Sequence, residues 1–235
     1  MTFKVFPRPV STLTLKLPVK NAEAATLMLT EAANARWEAD ALDYLPEASR
    51  IFLRLAGPAA ALEEMAREIL ARWPGEKLSP DESENVWTQL REFRWAHGES
   101  YPSHDPAGCP LPPHPALSPG GGEGGRRPGE GALNGKGTLV KVPLLPKAVP
   151  ALCTALSLMN NARVHVSAGG NLAFVSLEST ADAAVLDDSL KKLGLSGVTL
   201  RGDAPLWCGV RSRPQIAAAV KHALDPQNRF PALDD

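Results

Sequence analysis

A segment rich in proline and glycine divides the chain into two stretches of similar length and limits where a core can form. Residues 102–137 contain 8 prolines and 10 glycines among 36 residues, with few large apolar side chains. Such a composition buries too little apolar surface to offset the entropy lost when the backbone is ordered. We therefore interpret residues 99–137 as a disordered insert and expect the folded parts at residues 1–98 and 138–235.

Charge and cysteine content exclude several classes of protein. Lys and Arg number 25 against 26 Asp and Glu, for a net charge of -1, so no general phosphate-binding surface or nucleic-acid partner is expected. Cys109, Cys153 and Cys208 fit neither a disulfide framework nor a zinc-ligand spacing, so no metal is expected. The sequence contains no long apolar run and no signal-peptide pattern, which predicts a cytoplasmic protein without membrane insertion.

Apolar periodicity gives the same order of elements in both parts of the chain. The first part predicts strand, helix, strand, strand, helix and strand, at TLTLKL, residues 25–32, WEADALDY, RIFLRL, residues 62–70 and EKLS. The second part predicts the same order at TLVKVP, residues 149–156, ARVHVS, LAFVSL, a helix capped by Thr180, and GVTLRG. Each part therefore reads β-α-β-β-α-β, the order of a ferredoxin-like unit. We predict an α+β fold in which two such units form an antiparallel sheet covered by helices.

Two segments lie outside this repeated order, and added segments are where function is often placed. The segment VWTQLREFRW combines aromatic residues with Arg91 and Arg94, a surface able to hold a planar or carboxylate-bearing ligand. The sequence supports a second interpretation equally well, in which Trp87 and Leu90 are core residues and the two arginines point to solvent. The second segment is a closing helix that must end near Leu224, because the following residue precedes a proline.

Side chains alone offer no independent catalytic site, since no nucleophile is paired with a base by spacing. We therefore assign no catalytic residue. His165 lies on the strand face opposite Val164 and Val166, where it either reaches a ligand or faces solvent, and the second interpretation is favoured. His222 on the closing helix is the one candidate for an axial haem ligand, and nothing else in the sequence supports haem.

The motifs FKVFPRP, TLTLKLP, VWTQLRE and VKHALDPQNRFP occur in this order. Together they resemble the C-terminal half of FAD-linked oxidases of the vanillyl-alcohol oxidase type, and most closely the FAD-binding subunit of glycolate oxidase. The resemblance implies an FAD-linked-oxidase C-terminal domain, which forms the cap over the flavin and is built on the duplicated plan. It implies FAD as cofactor, held by a flavin-bearing partner chain, and a small 2-hydroxy acid as substrate.

The resemblance also implies roles for individual residues. Arg91 is the best candidate for binding the substrate carboxylate, and the substrate-side set is Trp87, Arg91, Arg94 and His97. The closing tail would pack against the flavin domain, with Lys221, Asp225 and Pro226 on the cofactor side. The expected partners are a flavin-domain polypeptide or other glycolate-oxidase-like subunits, with the cap catalytically silent alone. The alternative is a non-enzymatic module for ligand binding or assembly that uses the same duplicated fold.

Overall fold

A computed structural model describes residues 11–97, 137–159, 161–211 and 214–229. The predicted insert, apart from Gly137, lies outside these described residues. Within them the chain forms nine strands and six α-helices, joined by short 3-10 helices.

The elements follow the predicted order closely. The strands are β1 (Ser11–Pro18), β2 (Ala41–Leu45), β3 (Arg50–Gly57), β4 (Glu76–Lys77), β5 (Thr138–Pro143), β6 (Arg163–Ser167), β7 (Leu172–Leu177), β8 (Ser196–Arg201) and β9 (Trp207–Gly209). The helices are α1 (Ala22–Asn34), α2 (Ala59–Arg72), α3 (Pro80–Arg91), α4 (Val149–Ser157), α5 (Thr180–Leu193) and α6 (Pro214–Leu224). Helix α6 ends at Leu224, as the proline two residues later predicts.

All nine strands belong to one antiparallel sheet, so the α+β class predicted from the sequence is confirmed. The strand order is β4-β1-β3-β2-β6-β7-β5-β8-β9. The strands of the two parts of the chain therefore occupy opposite halves of the sheet. The halves meet where β2 runs beside β6, and one residue pair, Tyr44 opposite Val166, forms the ladder there.

The sheet has two faces with different coverings. Helices α1, α2, α4 and α5 bury their apolar stripes on one face, here called the first face, against alternate strand residues such as Leu13, Leu15 and Leu17. Full burial of each leucine contributes about 1.5–3 kcal/mol. Helix α3 and a 3-10 helix at Arg94–His97 lie on the opposite, second face, against a smaller cluster that includes Leu45, Phe52 and Leu139.

Helix α5 shows how local sequence fixes an element's ends. Its N-cap is Ser179, whose hydroxyl accepts a hydrogen bond from the Asp182 N–H at 3.2 Å, so the cap lies one residue before the predicted Thr180. Gly194, at φ 66°, ends the helix in the left-handed conformation that glycine adopts without strain. Lys191 and Lys192 occupy the last turn, where cations oppose the negative end of the helix dipole.

Gly194 and Gly209 both have positive φ angles, so comparing their alanine variants separates the cost of steric overlap from the cost of backbone strain. A Cβ added at Gly209, where φ is 78°, would lie 2.3 Å from the Leu195 carbonyl oxygen and 2.7 Å from the Leu190 Cβ. A Cβ at Gly194 meets nothing within 4 Å. We expect Gly194→Ala to cost about 1 kcal/mol of unfolding free energy and Gly209→Ala about 2 kcal/mol, measured by urea denaturation. Equal losses would contradict the steric contribution at Gly209.

Candidate functional site

Helix α3 carries two of the four predicted substrate-side residues, Trp87 and Arg91, and is anchored on the second face. A capping box joins Ser79 and Glu82 at its start, with Pro80 in the first turn. Trp87 is 8% exposed, and its indole N–H donates to the Thr14 hydroxyl at 2.9 Å. The Arg54 guanidinium lies 4.7 Å from the centre of the Trp87 ring. Trp87 therefore anchors the helix to the sheet, as the core interpretation of this residue predicted.

The two arginines of this segment differ in how their charge is compensated. Arg91 is the last residue of α3, is exposed, and donates to the Thr88 hydroxyl at 3.3 Å. Arg94 is also exposed but forms an ion pair with the Glu92 carboxylate at 2.6 Å. Because the helix ends at Arg91, the two do not share a helical face. Arg91 is the arginine of the two with no carboxylate partner within the described ranges.

His97, the fourth predicted substrate-side residue, closes the 3-10 helix Arg94–His97, and its side chain lies outside the described residues.

Four rings form an aromatic cluster on the second face: Phe93, Trp95, His165 and Phe174. The Phe93 and Phe174 centroids are 5.0 Å apart in an edge contact, and His165 stacks on Phe174 at 5.9 Å. Trp95 meets the His165 ring edge-on at 5.6 Å and is 2% exposed. Edge and offset contacts of this kind are the favoured aromatic geometries. The cluster connects the segment after α3 to strands β6 and β7.

Phe93 takes a backbone conformation that suits glycine, at φ 54°, directly after Glu92, the C-cap of α3. Its ring contacts with Phe174 and Trp95 hold it there.

The strain at Phe93 can be separated from its ring contacts by two substitutions. Phe93→Ala removes the ring and keeps the left-handed strain, whereas Phe93→Gly removes both. We expect Phe93→Gly to be more stable than Phe93→Ala by about 1 kcal/mol in urea denaturation, the reverse of the usual order of alanine and glycine. A glycine variant less stable than the alanine variant would show that residue 93 carries no strain.

A buried polar network crosses the junction between the two halves of the sheet. Asp43 on β2 is 7% exposed, and its carboxylate lies 2.9 Å from His165 Nε2 and accepts from the Ser167 hydroxyl at 2.7 Å. Both partners belong to β6. One residue pair forms the backbone ladder at this junction, so side chains supply much of the polar contact between β2 and β6.

His165 corrects the favoured sequence interpretation. It lies on the face opposite Val164 and Val166, as predicted, but it is 3% exposed and does not face solvent. Its Nδ1 atom is buried and has no hydrogen-bond partner among the described residues. Sequence reasoning did not identify Asp43, although an aspartate inside the apolar strand ALDYL is the signal that could have found it.

Two of the predicted cofactor-side residues of the tail, Lys221 and Asp225, form an ion pair with each other. The Lys221 ammonium lies 2.8 Å from both the Asp225 carboxylate and the Asn228 side-chain oxygen. The other carboxylate oxygen of Asp225 accepts from the Arg229 N–H at 2.7 Å, and Pro226 is exposed. These bonds fix the turn that follows α6. The helix itself exposes an apolar stripe at i, i+4 and i+8, formed by Ile216, Val220 and Leu224.

Cys153 on α4 is a half-buried thiol with little tendency to react. Burial, together with the negative charges of Glu23 and Glu47, raises the pKa of Cys153 to about 12. The thiolate is the reactive form, and at pH 8 its population falls about a thousandfold relative to a free cysteine.

Alkylation kinetics test this conclusion. In a variant carrying Cys109→Ser and Cys208→Ser, we expect iodoacetamide to modify Cys153 at pH 8 more than about a hundredfold slower than free cysteine. The rate should rise as pH increases toward 12, because the raised pKa keeps the thiol neutral at lower pH. Unfolding the variant in urea should restore the free-thiol rate. Rapid modification of the folded protein would contradict the raised pKa.

Metal and membrane sites are not found in the described ranges. No group of three or more His, Cys, Asp or Glu residues there is arranged to hold a metal ion. None of the helices described is both long and apolar enough to cross a membrane.

No model of a known protein family matches the chain, and no curated protein matches it.

Proposed function

We propose that the chain is the substrate-side cap of a glycolate-oxidase-like, FAD-linked oxidoreductase that acts on a small 2-hydroxy acid. The order of its elements is the observation that carries this proposal. The first part places its strands as β4-β1-β3-β2, and the second places its corresponding strands in the opposite direction, as β6-β7-β5-β8. Two ferredoxin-like units joined at their second strands produce this mirrored order, which is the plan that the family resemblance implies.

The two units leave the second face available for function. In each unit both crossover helices cover the first face, while α3, outside the repeated order, lies on the second face. Arg91 at the end of α3 is exposed without a carboxylate partner in the described part of the chain. A guanidinium in this state is suited to bidentate binding of a substrate carboxylate. Arg94 is less suited, because Glu92 already neutralises its charge.

The flavin would be held by a partner polypeptide. FAD supplies the acceptor for the electrons of the 2-hydroxy acid when bound, and this chain binds and orients the acid. Lys221 and Asp225 fit poorly as direct cofactor ligands, since each already bonds to the other. The exposed stripe of Ile216, Val220 and Leu224 is better suited to contact the flavin-bearing partner, with the tail turn fixing the end of the helix.

Thermal denaturation with small 2-hydroxy acids tests the proposal. Glycolate or D-lactate at ten times its Kd should raise the melting temperature of the full chain by about 4 °C, whereas acetate, which lacks the hydroxyl, should not. Arg91→Ala should abolish the shift. Arg94→Ala, which removes an equal charge three residues away, should retain most of it.

Two results would overturn the proposal. If no 2-hydroxy acid raises the melting temperature, the non-enzymatic module for ligand binding or assembly is favoured. A stoichiometric yellow cofactor on the purified chain, absorbing near roughly 450 nm as oxidised flavins do, would show that the flavin needs no partner.

A further inference from the structure

A row of side chains crosses the second face of the β6-β7-β5-β8 half of the sheet. His165 pairs with Phe174, Phe174 with Lys141, and Lys141 with Val198 in the strand registers. Residues directly opposite in antiparallel strands point to the same face, with their Cβ atoms about 5 Å apart. The four side chains therefore form a continuous line across four strands.

Two neighbouring rings, His165 and Phe93, fix the orientation of the Phe174 ring. His165 stacks on it with an interplanar angle of 26°, and the edge of Phe93 meets it at 68°. His165 is in turn held by the Asp43 carboxylate. Phe174 itself is only half-buried, so part of an already ordered ring remains accessible. A ligand that packs on this ring therefore binds without the loss of side-chain conformational entropy that ordering a mobile ring would cause.

Lys141 is an exposed cation in an apolar setting on an interior strand of the sheet. Strand β5 has neighbours on both sides, so this lysine is not an edge-strand charge of the kind that blocks aggregation. Its neighbours across and along the strands are Phe174, Val198, Leu139 and Pro143, and none is charged. Within the described ranges its ammonium has no ion pair or hydrogen bond. A cation without an ion pair in the described ranges, beside half-exposed apolar surface, suits an organic anion, and the register places a second cation, Arg201, opposite Leu139 on the same face.

We propose that Phe174 and Lys141 form a binding site for a small carboxylate with a flat, apolar body. The body packs on Phe174 and Val198, and the carboxylate accepts hydrogen bonds from the Lys141 ammonium. The site goes beyond the proposed oxidoreductase role, because its ligand needs no hydroxyl group and it uses β5 and β7 rather than Arg91. No covalent step is involved.

Binding of phenylacetate to the full chain, followed by ligand-observed NMR, tests the site. Phenylacetate carries a flat ring and a carboxylate, and a Kd of roughly millimolar is expected for a ligand of this size. Phenylacetamide has the same shape without the charge and should bind about tenfold more weakly. Lys141→Ala should weaken phenylacetate about tenfold and leave phenylacetamide unchanged.

Three further variants show whether the ligand binds at Phe174 and Lys141 or elsewhere on the surface. Phe174→Leu should weaken both ligands, because it removes the ring but keeps an apolar side chain. Lys20→Ala removes an exposed lysine from the loop between β1 and α1 and should change neither. Arg91→Ala should also change neither, so that failure of this site is distinguishable from failure of the oxidoreductase proposal. Equal binding of acid and amide, or no phenylacetate binding at roughly ten millimolar, overturns the inference.

Discussion

Replacing Asp43 by alanine is expected to lower the free energy of unfolding by about 3 kcal/mol, measured by urea denaturation. The carboxylate accepts hydrogen bonds from two side chains of β6, His165 and Ser167; Asp43 and His165 are buried and Ser167 is half-buried. Removing it leaves both donors unpaired at the junction between the two halves of the sheet. The loss is large because the buried His165 ring loses the partner of its Nε2 atom and the backbone ladder there is short.

Asp40 provides the matched control for Asp43. It lies three residues earlier, pairs with the Arg54 guanidinium at 2.6 Å, and has a side chain that is 39% exposed. Asp40→Ala should cost less than about 1 kcal/mol, as exposed ion pairs do. A double-mutant cycle with His165→Ala should return a coupling energy above about 1 kcal/mol. Additive effects of the two substitutions would show that the contact between Asp43 and His165 contributes nothing.

Local patterns were sufficient to predict most of the sheet. The alternation of Leu13, Leu15 and Leu17, and of Ile51, Leu53 and Leu55, predicted β1 and β3, because a strand buried on one face needs apolar residues at every second position. The closing helix ended at the predicted residue, because proline restricts the residue before it. Strand β9 was missed, since three residues are too few to show a period.

Long-range contacts could not be predicted in the same way. Asp43 and His165 are 122 residues apart, and nothing in either strand indicates that β2 and β6 are neighbours. The cationic residue Lys141 was also overlooked, because its significance depends on which side chains the register places beside it. Arg91 and Arg94 are three residues apart, the spacing of two side chains on one face of a helix, but the left-handed Phe93 ends the helical path between them.

Replacing Trp95 by alanine is expected to produce the largest loss of stability, about 4 kcal/mol in urea denaturation. Its ring is 2% exposed and packs against His165 and Phe93, so truncation leaves a cavity within the aromatic cluster of the second face. The Trp95 carbonyl also accepts from the Arg163 guanidinium at 3.2 Å, which ties the 3-10 helix to β6. Trp73, half-buried at the end of α2, should lose only about half as much when changed to alanine.

Phenylalanine at position 95 separates ring packing from hydrogen bonding. The Trp95 indole N–H is buried and has no acceptor among the described residues, so Trp95→Phe removes a polar group that makes no bond. The usual cost of a lost hydrogen bond is then absent, and only the smaller ring volume counts against the variant. We expect Trp95→Phe to cost about 1 kcal/mol. A loss as large as that of Trp95→Ala would mean that the indole N–H has an acceptor in solution, and that the second-face cluster is held by a polar contact as well as by packing.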